Sequence, residues 1–170
     1  MLISDSEYLA ALTQNIEAAK AARPSQVIEF RLCASDKCEA LRRCNGLTDI
    51  KNAIYIISRG LEVASSDALK SKLIDFKKQS PRMCPKINGN LSEVLYVGSS
   101  TTGVSKRLKQ HLGYGPAKTY SLHLCHWLKG DVRISIFEYQ EVKRDVLQLI
   151  EDAISAEQNP MFGKQGGNNK

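Results

Sequence analysis

The sequence lacks the segments that place proteins in membranes or outside the cell. It has no run of about 18 apolar residues, so no membrane-spanning helix is expected. Its N-terminal residues have neither the basic start nor the apolar block of a secretory signal peptide. The cysteines number five, an odd count without a Cys-x-x-Cys pair, which argues against a disulfide scaffold. These absences predict a cytoplasmic protein with free thiols.

Acidic residues are missing from one stretch of an already basic chain. The net charge is +6, and between Tyr96 and Tyr120 there is no Asp or Glu, whereas Lys106, Arg107, Lys109 and Lys118 occur there. A local excess of cations favours an anionic partner, most simply nucleic acid. Arg82, Lys86 and Lys164 are further candidate nucleic-acid contacts, the first two in a loop rich in proline and glycine.

The 170 residues, 42% hydrophobic and 25% charged, are typical of a soluble globular protein. Apolar spacing and turn signals predict strands near residues 26–32, 52–58, 95–98 and 132–137, and helices near 4–22, 36–44, 66–78, 101–113, 119–128 and 144–158. Thr101 or Thr102 is the expected N-cap of the helix that ends near Gly113. The pattern predicts an α+β protein with a small three-stranded mixed or antiparallel sheet, made by the strands after residue 51 and flanked by helices.

Residues 1–51 are predicted to form an N-terminal extension of a helix and a strand that contributes to substrate recognition. Residues 52–170 are predicted to be the functional domain, interrupted by an insertion at about 60–92.

A candidate phosphate site begins at the stretch 95–100, in which a short apolar run ends in glycine and small hydroxyl residues. Arg107 and His111 follow four residues apart on a basic helix and therefore share one face. An arginine can donate two parallel hydrogen bonds to a phosphate, and a histidine can bind phosphate or orient a water molecule.

Glu151 is the candidate metal ligand. It lies at the edge of the apolar stripe of the last helix, where we expect a half-buried carboxylate, in contrast to a solvated Asp152. Magnesium keeps several waters, so one protein carboxylate can hold it when a substrate phosphate helps. Taken one at a time, Tyr55 and Tyr96 are typical residues of a sheet. A tyrosine hydroxyl can nevertheless position or deprotonate water beside a metal and an arginine.

Four features in chain order resemble the GIY-YIG nuclease superfamily. They are Ala53-Ile54-Tyr55, Tyr96-Val97-Gly98, Arg107 with His111, and Glu151 before Pro160. The arginine comes nine residues after Gly98, and Glu151 comes nine residues before Pro160. The likeness covers residues 52–167. Because of the long insertion between the two tripeptides, the chain looks like a restriction-endonuclease-like member.

The resemblance implies an endonuclease that hydrolyses phosphodiester bonds with Mg²⁺ or Mn²⁺. It implies that Tyr55 is the general base and that Tyr96 positions the water. It also implies that Arg107 stabilises the phosphate, that His111 matches a histidine found in some members, and that Glu151 binds the metal.

The sequence departs from the family at two places. Ala53 replaces the first glycine, and the asparagine often found after the final proline has no clear counterpart. The aligned position falls near Gly163, and Asn159, Lys164 or Asn168 is a possible substitute.

Two other chemistries have weaker support. His123, Cys125 and His126 would need a fourth zinc ligand and match no standard spacing, and Ser99 and Ser100 lack the glycine pattern of a nucleophile elbow. The sequence therefore predicts a metal-dependent endonuclease acting on DNA rather than RNA, as in restriction or defence. The alternatives are a nuclease for RNA, a non-catalytic nucleic-acid-binding module of the same fold, and a protein-interaction domain.

Overall fold

The computed structural model describes residues 5–61 and 63–164. The α+β class is confirmed, but the predicted three-stranded sheet is wrong by one strand. The elements, in chain order, are α1 (Asp5–Ala21), β1 (Gln26–Cys33), α2 (Lys37–Asn45), β2 (Ala53–Arg59), α3 (Ser66–Gln79), β3 (Val94–Ser100), α4 (Val104–Leu112), a 3₁₀ turn (Leu124–His126), β4 (Asp131–Glu138) and α5 (Arg144–Gln158). No helix in the described ranges is long and apolar enough to cross a membrane.

The four strands form one antiparallel sheet in the order β1-β4-β2-β3. The additional strand is β1, whose residues pair with β4 from Gln26 opposite Glu138 to Cys33 opposite Asp131. Its apolar residues alternate imperfectly because it is an edge strand and only Leu32 is fully buried.

Apolar residues are buried on both faces of the sheet. One core lies under α2, α3 and α4 and includes Tyr55, Leu73 and Leu108. The second lies under α5 and includes Ile54, Val97 and Leu147. Adjacent residues of β2 therefore point to opposite cores, as the two-residue period of a strand requires.

Helix α1 packs along α5 but buries none of its own residues. Its apolar residues Leu9, Leu12 and Ile16, spaced as for a core-facing stripe, are exposed. The first residue of the predicted helix, Ser4, lies outside the described residues.

The structure corrects two local predictions near α4. Residues 119–128 do not form a helix, since only Leu124–His126 form a 3₁₀ turn and His123 has a left-handed backbone with φ 51°. Neither Thr101 nor Thr102 caps α4, because its N-cap is Gly103. The Ser100 hydroxyl instead bonds to both the N–H and the carbonyl of Gly103 and fixes this entry.

Candidate active site

Tyr55, Tyr96, Arg107 and His111 meet on the α4 side of the sheet. Tyr55 is in the inner strand β2, and its backbone pairs with Gly98 in the edge strand β3. The Tyr96 and His111 rings are 4.3 Å apart between centroids, and the Tyr55 and Tyr96 rings are stacked at 6.2 Å. The four side chains of the predicted site that come from β2, β3 and α4 therefore form one cluster.

Helix α4 presents Arg107 and His111 because its apolar residues fix its rotation. Val104, Leu108 and Leu112 recur every four residues and are fully buried. The helix ends at Gly113, whose left-handed backbone (φ 103°) lets its N–H bond to the carbonyls of the last turn. His111 lies inside the core with no exposed surface, and Arg107 is half-buried.

The hydrogen bonds of His111 define its tautomer. The backbone N–H of Leu122 donates to His111 Nδ1 at 3.3 Å, and His111 Nε2 lies 3.2 Å from the Tyr55 hydroxyl oxygen. Burial, followed by the nearby Arg107 charge, lowers the pKa of His111 well below its usual value, so the ring is neutral. Since Nδ1 accepts, the single ring proton is on Nε2 and is donated to Tyr55.

Arg107 Nη1 donates to Gln110 Oε1 at 2.6 Å. The Arg107 guanidinium is near enough to both tyrosine hydroxyls for its charge to influence their pKa values. Burial is the largest influence on Tyr55 and raises its pKa, while Arg107 acts in the opposite direction. Burial also raises the pKa of Tyr96, again against the influence of Arg107.

Glu151 reaches the same end of β3 from the opposite face of the sheet. The Ser99 hydroxyl donates to Glu151 Oε2 at 2.5 Å, and Ser99 and Gly98 are successive residues of β3. Burial raises the pKa of Glu151, whereas the bond from Ser99 and the Arg107 charge lower it. Glu151 is close enough to both tyrosines that its charge raises their pKa values.

The surroundings of Glu151 fit a hydrated divalent cation. None of the ion pairs within residues 5–61 and 63–164 involves Glu151, although its carboxylate is desolvated. The same ranges contain no cluster of three or more His, Cys, Asp or Glu side chains that could hold a metal. A single carboxylate suits Mg²⁺, which keeps waters and takes further oxygen ligands from a substrate phosphate. Asp152, predicted to be solvated, is also half-buried, but the amide of Gln148 donates to it at 3.0 Å.

Gly98 is the residue that lets the two tyrosines approach each other. A Cβ at this position would lie 2.6 Å from the Tyr55 hydroxyl oxygen and 2.8 Å from a ring carbon of Tyr96. Both neighbours belong to tyrosine side chains held in the cluster, so a methyl group requires displacement of the rings.

We therefore expect Gly98→Ala to lower the free energy of unfolding by about 1–3 kcal/mol, measured by urea denaturation. The matched control is Gly89→Ala, because a Cβ at Gly89 has no neighbour within 4 Å. Equal stabilities of the two variants would contradict this account of Gly98.

Residues after Pro160 complete the site beside Tyr96. Gly163 has a left-handed backbone (φ 110°), and a Cβ there would lie 3.0 Å from the Tyr96 ring. Lys164 borders a cleft next to Tyr96. Asn159 is an exposed residue that ends α5 in the left-handed conformation, and Asn168 lies outside the described residues. Of the possible substitutes for the family's asparagine, Lys164 is therefore the one that the described structure places beside Tyr96.

The predicted nucleic-acid contacts are distributed over several surfaces. Lys86 and Lys164 border the cleft beside Tyr96, and Lys106 and Lys109 border a second cavity next to α4. Lys118 is exposed. The Arg82 guanidinium donates to the carbonyl of Gly115 at 3.3 Å and lies 3.4 Å from His123 Nδ1, so it also holds two loops together.

Sequence reasoning missed three contributors to this site. It did not assign Gln110 to Arg107, or Ser99 to Glu151, since each pairing depends on the tertiary structure. It also missed Tyr120, which borders the cleft beside Tyr96 and whose sequence signal was its position at the end of the acid-free stretch.

The zinc alternative gains no support from the described residues. His123 bonds to Ser121 and to the carbonyls of Met83 and Thr119, and His126 bonds to the carbonyl of Gly113. All five cysteines are free thiols.

Comparison with known proteins gives no relative: no family model, no curated protein and no solved structure matches this chain.

Proposed function

We propose that this protein is a metal-dependent endonuclease of the GIY-YIG type that hydrolyses phosphodiester bonds in nucleic acid, DNA in preference to RNA. The observation that carries the proposal is the convergence of Tyr55, Tyr96, Arg107, His111 and Glu151 from β2, β3, α4 and α5 at one end of β3. These residues are spread over about one hundred positions of sequence and supply a base, a phosphate-binding cation and a metal-binding carboxylate.

In this proposal Arg107 binds the scissile phosphate while Gln110 accepts from its Nη1 and orients the guanidinium. Guanidinium donors that are already oriented stabilise the charge that develops on phosphate oxygens in the transition state. Tyr55 takes the proton from the attacking water, and Tyr96 orients that water. His111 is a positioning residue, because its Nε2–H fixes the Tyr55 hydroxyl and its own ring is fixed by Leu122.

Glu151 and the substrate phosphate would hold Mg²⁺ or Mn²⁺, and Ser99 orients the carboxylate. When bound, the cation supplies Lewis-acid stabilisation of the phosphate oxygens.

The direct test is incubation of the purified full chain with supercoiled plasmid and with structured RNA, each in Mg²⁺ and in EDTA. We expect plasmid nicking or linearisation that requires Mg²⁺, with product ends mapped by sequencing. Binding to nucleic acid without Mg²⁺-dependent cleavage of either substrate would favour the non-catalytic module. Cleavage of RNA alone would favour the RNA nuclease.

Arg107→Lys should slow plasmid cleavage about 100-fold, since the lysine keeps the charge but loses the planar fork that can donate two parallel hydrogen bonds to a phosphate. The measurement is the single-turnover cleavage rate at saturating protein. Arg133→Lys is the matched control, because Arg133 is an exposed arginine of β4. Equal cleavage rates for wild type and Arg107→Lys would show that the Arg107 guanidinium has no role in cleavage.

A further inference from the structure

A cleft of about 400 Å³ opens beside Tyr96, outside the cluster that surrounds Tyr55. Three lysines, Lys77, Lys86 and Lys164, and two tyrosines, Tyr96 and Tyr120, border it, and none of the described residues that line it is acidic. The volume lies within the range of about 300–1,000 Å³ that small-molecule sites occupy. The lining combines several cations with aromatic surface, which suits an anionic group attached to a flat ring.

Backbone hydrogen bonds join the separate segments that form the cleft. The Gly163 N–H donates to the carbonyl of Lys86 at 2.9 Å, and Ile87 forms a β-bridge with Phe162. The backbone of Met83 bonds to the loop that bears Tyr120. Its N–H donates to the carbonyl of Ala117, and its carbonyl accepts from the N–H of Ser121. The loop that bears Lys86 is thus bonded on one side to the segment after α5 and on the other to the loop that bears Tyr120. The cleft is therefore formed before any ligand binds.

Tyr120 presents an exposed aromatic ring. Its side chain is 53% exposed, and none of the ring contacts among the described residues includes it. Such a ring at the rim of a cationic groove is the element on which proteins stack single-stranded bases. Tyr96 belongs both to this cleft and to the candidate active site, so the two are continuous.

We propose that the cleft holds one unpaired nucleotide next to the scissile phosphate, with its base stacked on Tyr120 and its phosphate against the lysines. A base inside a duplex is covered on both faces by its neighbours and has to leave the stack before it can contact Tyr120. The preferred substrate is therefore nucleic acid that is single-stranded or locally unpaired at the cleavage site. This inference rests on the proposed nuclease function and names its substrate class.

The test uses the full chain without divalent cations and two fluorescent DNA probes, a blunt duplex and the same duplex with a short single-stranded gap. We expect wild type to bind the gapped probe more tightly in fluorescence anisotropy. Tyr120→Ala should weaken that binding about 5- to 150-fold, as expected from the loss of one base–aromatic stack. Its affinity for the blunt duplex should be unchanged.

Tyr120→Phe, which keeps the ring, should bind both probes like wild type. The control Tyr8→Ala removes another exposed tyrosine, on α1, and should change nothing. A 2-aminopurine base placed in the gap should lose fluorescence on binding wild type and retain it with Tyr120→Ala, since stacking quenches this probe. Equal affinity of Tyr120→Ala and wild type for the gapped probe, or an equal loss on both probes, would overturn the proposal.

The cleavage assay distinguishes failure of this inference from failure of the nuclease assignment. If cleavage depends on Mg²⁺ and on Arg107 but Tyr120→Ala binds the gapped probe like wild type, the nucleotide cleft alone is refuted. Gap binding that requires Tyr120, without cleavage of any substrate, would refute the nuclease alone.

Discussion

Glu151→Gln is expected to reduce Mg²⁺-dependent cleavage about 1,000-fold or more. The substitution removes the negative charge that is proposed to hold the cation, and loss of Lewis-acid stabilisation would amount to several kcal/mol, at about 1.4 kcal/mol for each factor of ten. The glutamine carbonyl can still accept the hydrogen bond that Ser99 donates to the carboxylate. The variant should therefore keep the fold and should bind nucleic acid without metal like wild type. The measurement is the cleavage rate of each protein in Mg²⁺.

Asp152→Asn provides the matched control, because Asp152 is the next carboxylate on α5 and is also half-buried. Its side chain accepts a hydrogen bond from Gln148, whereas the Ser99 hydroxyl donates to Glu151. We expect its cleavage rate to equal that of wild type. If both variants cleave normally, Glu151 is not the metal ligand; if both are inactive, helix α5 rather than one carboxylate is responsible.

The pKa of Glu151 adds a readout that does not depend on activity. Burial raises this pKa above its ordinary value of 4.5, so the folded protein binds the proton more tightly than the unfolded chain. The stability that Glu151 contributes is therefore present at low pH and is lost as the pH rises above 4.5. In metal-free urea denaturation, Glu151→Gln should lack this loss, and its stability relative to wild type should increase with pH.

Much of the site could be predicted because its spacing is local. Arg107 and His111 are four residues apart on a helix whose apolar stripe is visible in the sequence, and Tyr55, Tyr96 and Gly98 occur in short β-branched runs. Each of these signals needs only one helix or one strand. The α+β class follows from the same signals, since segments whose apolar residues have the two-residue period of a strand alternate along the chain with segments that have the 3.6-residue period of a helix.

What the sequence did not disclose depends on contacts between distant segments. Strand β1 joins the sheet only because β4 offers it a free edge, and Ser25 next to it bonds to Glu138, on β4. The predicted helix at 119–128 had adequate apolar spacing. Tertiary contacts prevail there, because the buried His123 bonds to the carbonyl of Met83 in another segment, as well as to that of Thr119, and adopts a left-handed backbone. Helix propensity is a weak preference that such bonds readily exceed.

Tyr55 shows how tertiary contacts change the meaning of a predicted residue. As a general base it has to act as tyrosinate, since a neutral phenol does not take a proton from water, and His111 Nε2 donates to its oxygen. This donor and the nearby Arg107 charge stabilise the charged form, whereas burial opposes it and raises the pKa of Tyr55. We therefore expect the cleavage rate to increase with pH into the alkaline range.

Tyr55→Phe should lower the cleavage rate about 100- to 10,000-fold, the usual effect of losing a general base, and should abolish this dependence on alkaline pH. It should also lower the free energy of unfolding by about 1–3 kcal/mol, because the buried Nε2–H of His111 loses its acceptor. Tyr139→Phe is the matched control, since Tyr139 is a buried tyrosine of the core on the α5 side. The measurements are single-turnover pH–rate profiles and urea denaturation. A Tyr55→Phe protein that is destabilised but cleaves with the wild-type profile would show that the Tyr55 hydroxyl serves packing alone, and the role of base would then have to pass to another group near Arg107.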